Sequence, residues 1–332
     1  MQKVLEIDCL NDMISEIGGY FELELKKREA LYGNLTKLNS GRHAFEYILQ
    51  SLGVKKILLP AYSCPVLLQP LNRLKIPFDF YSIDRNFKPL LNRKPEPNEY
   101  LLYSNFFGIC GRVCSDLSTT YKGHLILDFA QAFYNEPLID TPVFYSPRKF
   151  FGLPDGGLTN VIDSKIELDN SYSHNRISHL ISRIDCGAES GYQNFKSNEE
   201  SIDNSIMLKM SKLTERLYSQ IDFNSGLEIR NQNFSFLSKH LNDINEISFA
   251  GKFNAPLCYP LLIPNGEKFR KELIKRKIFI PTYWPGIDER FNKEQFEKKL
   301  LNDLLCLPID QRYGRMEMEF IIENLFSVGK FK

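Results

Sequence analysis

Phe144-Tyr145-Ser146-Pro147-Arg148-Lys149-Phe150-Phe151-Gly152-Leu153-Pro154-Asp155-Gly156-Gly157 is the stretch on which the reading of this chain turns. Its lysine stands just past a short β-like run, and a Gly-Gly pair follows. Upstream, the apolar run His124-Leu125-Ile126-Leu127 ends at Asp128 and continues as Phe129-Ala130-Gln131. Farther upstream, Ser40-Gly41-Arg42-His43-Ala44 opens a helical pattern. The order is therefore a turn at a helix N-terminus, an acid at a strand end and a lysine at a strand end. Backbone N–H groups and the helix dipole make such a turn an anion site.

The surrounding sequence predicts the scaffold that such a cleft needs. Short apolar runs at 56–60, 78–83, 99–104, 125–127 and 142–145 read as strands, with helical patterns at 42–51 and about 65–74. Strands alternating with helices imply a mostly parallel sheet covered on both faces. Ligands bind at the carboxyl ends of such strands. Tyr62-Ser63, Asn105-Phe106-Phe107-Gly108, Asp128 and Lys149 all fall there.

Residues 9–31 carry an amphipathic helical pattern interrupted at Gly18-Gly19, and Glu199 to Ser219 reads as one long helix. The character changes after about residue 225. There, strands are expected at 256–263 and 278–280, and helices at 268–276, 294–301 and 316–325. The fold class is α/β, with a large domain over 1–225 and a small C-terminal α/β domain over 226–332.

The chain has 332 residues, 43% hydrophobic and 25% charged, which suits a packed core of that size. Its net charge of +1 offers no footprint for nucleic acid. No apolar run approaches the ~20 residues of a membrane span. The N-terminus Met1-Gln2-Lys3-Val4-Leu5-Glu6-Ile7-Asp8 is acidic and interrupted, unlike a signal peptide, so a cytoplasmic protein is expected. Seven scattered cysteines fit a reducing compartment, and Cys110 and Cys114 are too isolated for a zinc site, so no metal is expected.

An anion turn, a strand-end acid and a strand-end lysine are the parts that hold pyridoxal phosphate (PLP). Lys149 would form the Schiff base and act as the catalytic residue, activated by desolvation or by Arg148. Alone, it reads as a solvated loop lysine. Asp128 would pair with the pyridinium nitrogen; its other reading is an N-cap. Gln131 could reach the ring oxygen or be an ordinary surface residue. Gly41 and Arg42 would take the phosphate at the turn capped by Ser40. Ser63 could donate to the phosphate and Cys64 lie against the ring, or both could belong to a packed strand–helix corner. Tyr283-Trp284-Pro285 is a candidate wall for a substrate, or a packed aromatic turn. No Gly-x-Ser-x-Gly or Gly-x-Gly-x-x-Gly is present, and the five histidines have no ligand spacing.

Taken together, these segments resemble the DegT/StrS-type nucleotide-sugar aminotransferases, a PLP fold-type-I family, over nearly the whole length. The resemblance rests on 40–44, Leu59-Pro60-Ala61-Tyr62-Ser63-Cys64-Pro65, 105–108, 128–131, Ser146 to Gly157 and the closing Leu307-Pro308-Ile309-Asp310-Gln311-Arg312-Tyr313. It implies a homodimer with a shared active site. It also implies ping-pong amino transfer from an amino acid, usually glutamate, to a keto-sugar on a nucleotide, for polysaccharide or antibiotic sugars. Rival readings are another PLP reaction on the same scaffold and a non-catalytic sugar-nucleotide binder. Two positions depart from the family pattern. Cys64 stands where many relatives have a stacking aromatic, and Phe144 where they have a phosphate serine. Either Ser146 substitutes for that serine or the contact has moved.

Overall fold

The computed structural model describes residues 18–329 except 27, 92, 250 and 252. Eight strands form the main sheet: β1 (Thr36–Leu38), β2 (Lys56–Pro60), β3 (Phe78–Ile83), β4 (Pro89–Leu90), β5 (Glu99–Ser104), β6 (Leu125–Asp128), β7 (Val143–Tyr145) and β8 (Gly157–Thr159). Their spatial order is β1-β8-β7-β6-β5-β2-β3-β4. The five central strands, β7 to β3, run parallel, while β4, β8 and β1 each pair antiparallel with their neighbours.

Of these, β2, β5, β6 and β7 are apolar on both faces because both are covered. Ile57, Leu59, Leu102, Ile126 and Phe144 point to the side closed by Ala44, Phe45, Ile48 and Leu49 of the helix Gly41–Ser51. The alternate residues Leu58, Leu101, Tyr103, Leu127 and Tyr145 point to the opposite core, with Phe133 and Tyr218. That period of two is the strand geometry itself. The helix Gly41–Ser51 starts at Ser40, whose extended backbone and side-chain acceptor on the His43 N–H (3.3 Å) make it the expected N-cap.

A second, two-stranded sheet pairs β9 (Cys258–Leu262) with β10 (Leu304–Pro308) antiparallel. One face packs Tyr259, Leu261, Leu305 and Leu307 against Phe234, Leu237 and Leu241 of the helix Phe223–Leu241 and against Met318, Ile321 and Leu325 of the helix Arg315–Val328.

Three expectations need correction. Residues 18–26 and 28–31 contain no helix; Gly18 and Gly19 have φ of 89° and 93°, and Arg216 holds the Leu25 carbonyl of the open chain. The part of that pattern over 9–17 lies outside the described residues. The long helix of 199–219 is two helices, Tyr192–Asp203 and Lys212–Ser219. Between them the chain is extended and bonds to the start of the main sheet, Asn39 N to Leu208 O (2.9 Å) and Met210 N to Lys37 O (3.2 Å), and Ser211 caps the second helix. Ile278 to Ile280 forms no strand. Ile278 and Ile280 are buried and Phe279 exposed, a strand-like alternation that pairs with no strand among the described residues.

Candidate active site

Because β7, β6, β5 and β2 are neighbours and parallel, the segments after them line one edge of the sheet in that order. They are Ser146–Lys149, Asp128–Gln131, Asn105–Gly108 and Ala61–Cys64. Residues scattered over ~90 positions thus meet at the carboxyl edge, where this architecture places ligands.

Lys149 ends a short 3-10 turn, Pro147–Lys149, fixed by its N–H to the Ser146 carbonyl (3.1 Å), and its side chain is exposed. Asp128 is half-buried at the end of β6. Burial pushes its carboxyl up, and the nearby Lys149 ammonium is the main opposing influence. The Ala130 N–H (2.8 Å to Oδ1) and the Ser104 hydroxyl (3.1 Å to Oδ2) also hold the charged form. Asp128 therefore caps a tight turn, not a helix, and its carboxylate is aimed by Ser104, a residue sequence reading passed over. The Arg148 guanidinium pairs with Glu199.

Two amides beside Asp128 have one end tied and the other unused. Gln131 Oε1 accepts the Phe107 N–H (2.7 Å), and Asn105 Oδ1 accepts the Cys110 N–H (2.8 Å). Those backbone donors fix which end is oxygen. Gln131 Nε2 and Asn105 Nδ2 are buried with no partner. Orphan donors in such a place point to a ligand acceptor. Gln131 is thus not an ordinary surface residue.

At the helix N-terminus, a Cβ on Gly41 would meet the Ser146 Cβ at 3.0 Å and Oγ at 3.4 Å. Ser146 is thereby placed at the anion turn. Phe144 is not: it packs on Phe45, with ring centroids 5.3 Å apart, inside the core. The Arg42 guanidinium is occupied by Asp203 (2.5 Å) and Gln69 (2.5 Å), which leaves this residue's backbone for an anion. His43 is buried, with Nδ1 on Ser40 Oγ (2.8 Å) and Nε2 on the Ser205 carbonyl (3.2 Å). Burial and the neighbouring Arg73 and Arg42 pull its pKa down to about 4, so it is neutral.

The Ala61–Cys64 corner is packed and also adjoins the cleft. Ser63 is buried and Cys64 half-buried. Arg290, not singled out from sequence, donates to the Ala61 (3.2 Å) and Ser63 (3.1 Å) carbonyls and lies over the Phe80 ring. Trp284 meets Tyr62 at 5.1 Å and Tyr283 meets Phe107 at 6.1 Å, ring centroid to centroid. Both residues remain half-buried, so they are an aromatic wall joined to the strand-end segments. Asp155 is fully buried and paired with Arg176 (3.3 Å), a structural tie for the loop after β8.

The donor set suits an aromatic heterocycle bearing a phosphate. It offers a carboxylate for a protonated ring nitrogen, an amide for a ring oxygen, a serine and helix N-terminus for the phosphate, and an amine for a carbonyl. Among the described residues no cluster of histidine, cysteine, aspartate and glutamate could hold a metal ion, and no helix is long and apolar enough to cross a membrane.

No protein-family model matches the chain, and no curated protein matches it. Solved structures do. The sugar aminotransferase CalS13 from Micromonospora echinospora is 13% identical, with a TM-score of 0.63 over 89% of this chain and 87% of that one. A DegT DnrJ EryC1 StrS aminotransferase from Brucella abortus is 13% identical, with a TM-score of 0.62 over 89% and 86%. DesI, solved in the presence of its TDP-sugar product, is 13% identical, with a TM-score of 0.61 over 88% and 79%. The chain has the fold of these enzymes, the fold-type-I architecture implied by the resemblance.

Proposed function

We propose that this protein is a PLP-dependent aminotransferase that moves an amino group from an amino acid, usually glutamate in such enzymes, to a keto-sugar carried on a nucleotide. The carrying observation is the Lys149 ammonium set against an Asp128 carboxylate that Ser104 and the Ala130 N–H hold in place. The sugar-aminotransferase neighbours, one of them solved with a TDP-sugar product, support the substrate class.

When bound, PLP supplies an aldehyde for amine exchange and a ring that withdraws electrons. Asp128 would keep the ring nitrogen protonated. Gln131 Nε2 would donate to the ring oxygen, and Ser146 with the start of the helix Gly41–Ser51 would hold the phosphate. The Lys149 amine would take a proton from the donor α-carbon and return one to the sugar carbon. Tyr283 and Trp284 form a wall of the sugar-nucleotide site. The large domain, 1–225, carries the cofactor, and the small one, 226–332, closes the substrate side. A homodimer is supported by the apolar side chains left exposed on the adjacent helices Ser178–Cys186 and Tyr192–Asp203, namely Ile181, Ile184, Tyr192 and Phe195.

The test is the visible absorption spectrum with PLP, then with glutamate. A band in wild type, missing in Lys149→Ala and bleached by glutamate, is expected. A band unmoved by any amino-acid donor would shift the reading to another PLP reaction, and no band at all would overturn it.

A further inference from the structure

A buried cation lies behind the lysine turn. Arg230, on the helix Phe223–Leu241, is 1% exposed, and among the described residues no carboxylate forms an ion pair with it. Its fork is spent on oxygens instead: Gln311 Oε1 (3.0 Å), the Pro256 and Leu257 carbonyls (both 3.2 Å) and the Phe150 carbonyl (3.3 Å). Its guanidinium also lies 4.6 Å from the centroid of the Phe150 ring. Gln311 Nε2 donates to the same Phe150 carbonyl (2.9 Å), so that oxygen receives two hydrogen bonds.

Phe150 follows Lys149 directly. The partners on the other side belong to the approach to β9 and the segment after β10. Pro256 and Leu257 also touch the Asn105–Gly108 turn, through Leu257 N to Phe107 O (2.9 Å). Burying an unpaired guanidinium is expensive, and burial pulls its pKa down to about 10. A fixed planar fork is the group that joins several oxygens at set angles.

We propose that Arg230 and Gln311 are positioning residues that clamp the Phe150 carbonyl and thereby set where the Lys149 amine stands, so that the small domain's closing segment governs the lysine. This rests on Lys149 being the reactive amine.

The test uses the full chain and two variants. Arg230→Lys keeps the charge and loses the fork. Gln311→Glu keeps an acceptor for Arg230 and turns a carboxylate oxygen toward the Phe150 carbonyl. In the cofactor-free protein, labelling of Lys149 by an amine-reactive reagent is followed by mass spectrometry, with the exposed Lys277 as internal control. With PLP added, the pH midpoint of the visible band is measured, and urea unfolding reports the fold. The clamp predicts Lys149 labelling about threefold faster or more in both variants, because the amine no longer stands against Asp128, and a midpoint moved by about half a unit. Variants with a lowered urea midpoint but wild-type labelling and band midpoint would make the cluster a purely structural tie and overturn the inference. A wild type with no visible band would overturn the PLP reading alone, leaving the labelling rates to decide the clamp.

Discussion

Gly157 and Ser40 touch backbone to backbone: a Cβ on Gly157 would lie 2.1 Å from the Ser40 carbonyl oxygen and 2.2 Å from its carbon. This contact presses β8, the return from the lysine loop, onto the turn that opens the helix Gly41–Ser51. It is reinforced by Gly156 N to Asn39 O (2.8 Å). The anion turn and the lysine turn are therefore one rigid unit.

Gly157→Ala cannot be accommodated by a side-chain shift, since the obstacle is backbone. The cost should be about 3 kcal/mol or more, at or above the upper end for overpacking. Urea unfolding measures it; a midpoint equal to wild type would contradict the close approach.

Lys149 is exposed in the cofactor-free protein and makes no tight packing. Lys149→Ala should leave urea stability within ~0.5 kcal/mol of wild type while removing the visible band with PLP. A large loss of stability would give the lysine a structural role.

Burial raises the Asp128 pKa, so the native state holds that proton more tightly than the unfolded chain. Stability of the cofactor-free protein should therefore fall as pH rises above ~4, the unfolded value, through the raised native one, and stay reduced beyond it. Asp128→Asn should raise the urea midpoint at pH 7 and weaken PLP binding about tenfold or more, through loss of a charge-assisted bond. Equilibrium dialysis with PLP beside urea titrations checks both; unchanged PLP affinity would remove Asp128 from the cofactor site.

His43 titrates in the opposite sense. Its pKa falls from ~6.5 unfolded to about 4 folded, so the unfolded chain binds the extra proton between those values. Stability from this site is complete above pH ~6.5 and declines toward pH 4, by ~2–3 kcal/mol. His43→Gln should flatten that limb of the stability–pH curve. A wild-type slope in the variant would assign the acid sensitivity to other groups.

What local sequence decided is visible in particular elements. The apolar runs of β2 and β5 are bounded by turn residues and are buried on both faces, so each is legible without its neighbours. Ser40 caps its helix through His43, three residues away. The strand-end places of Asp128 and Lys149 follow from the runs before them. These are short-range properties, written in spacing and composition.

The failures have a common cause. Residues 278–280 alternate like a strand, yet a strand exists only if a partner edge is free. Residues 199–219 look continuous in helical pattern, but 204–211 were drawn into pairing with 37–39, far upstream. The residues that steady the site were the least legible. Arg230 and Gln311 reach Phe150 across 80 and 161 positions, and Arg290 reaches Ser63 across 227. Local pattern carried most of the elements and put Asp128 and Lys149 at strand ends. Only the tertiary structure decided which distant donors satisfy the buried carbonyls around that chemistry, because a buried polar group takes whatever partner packing brings to it.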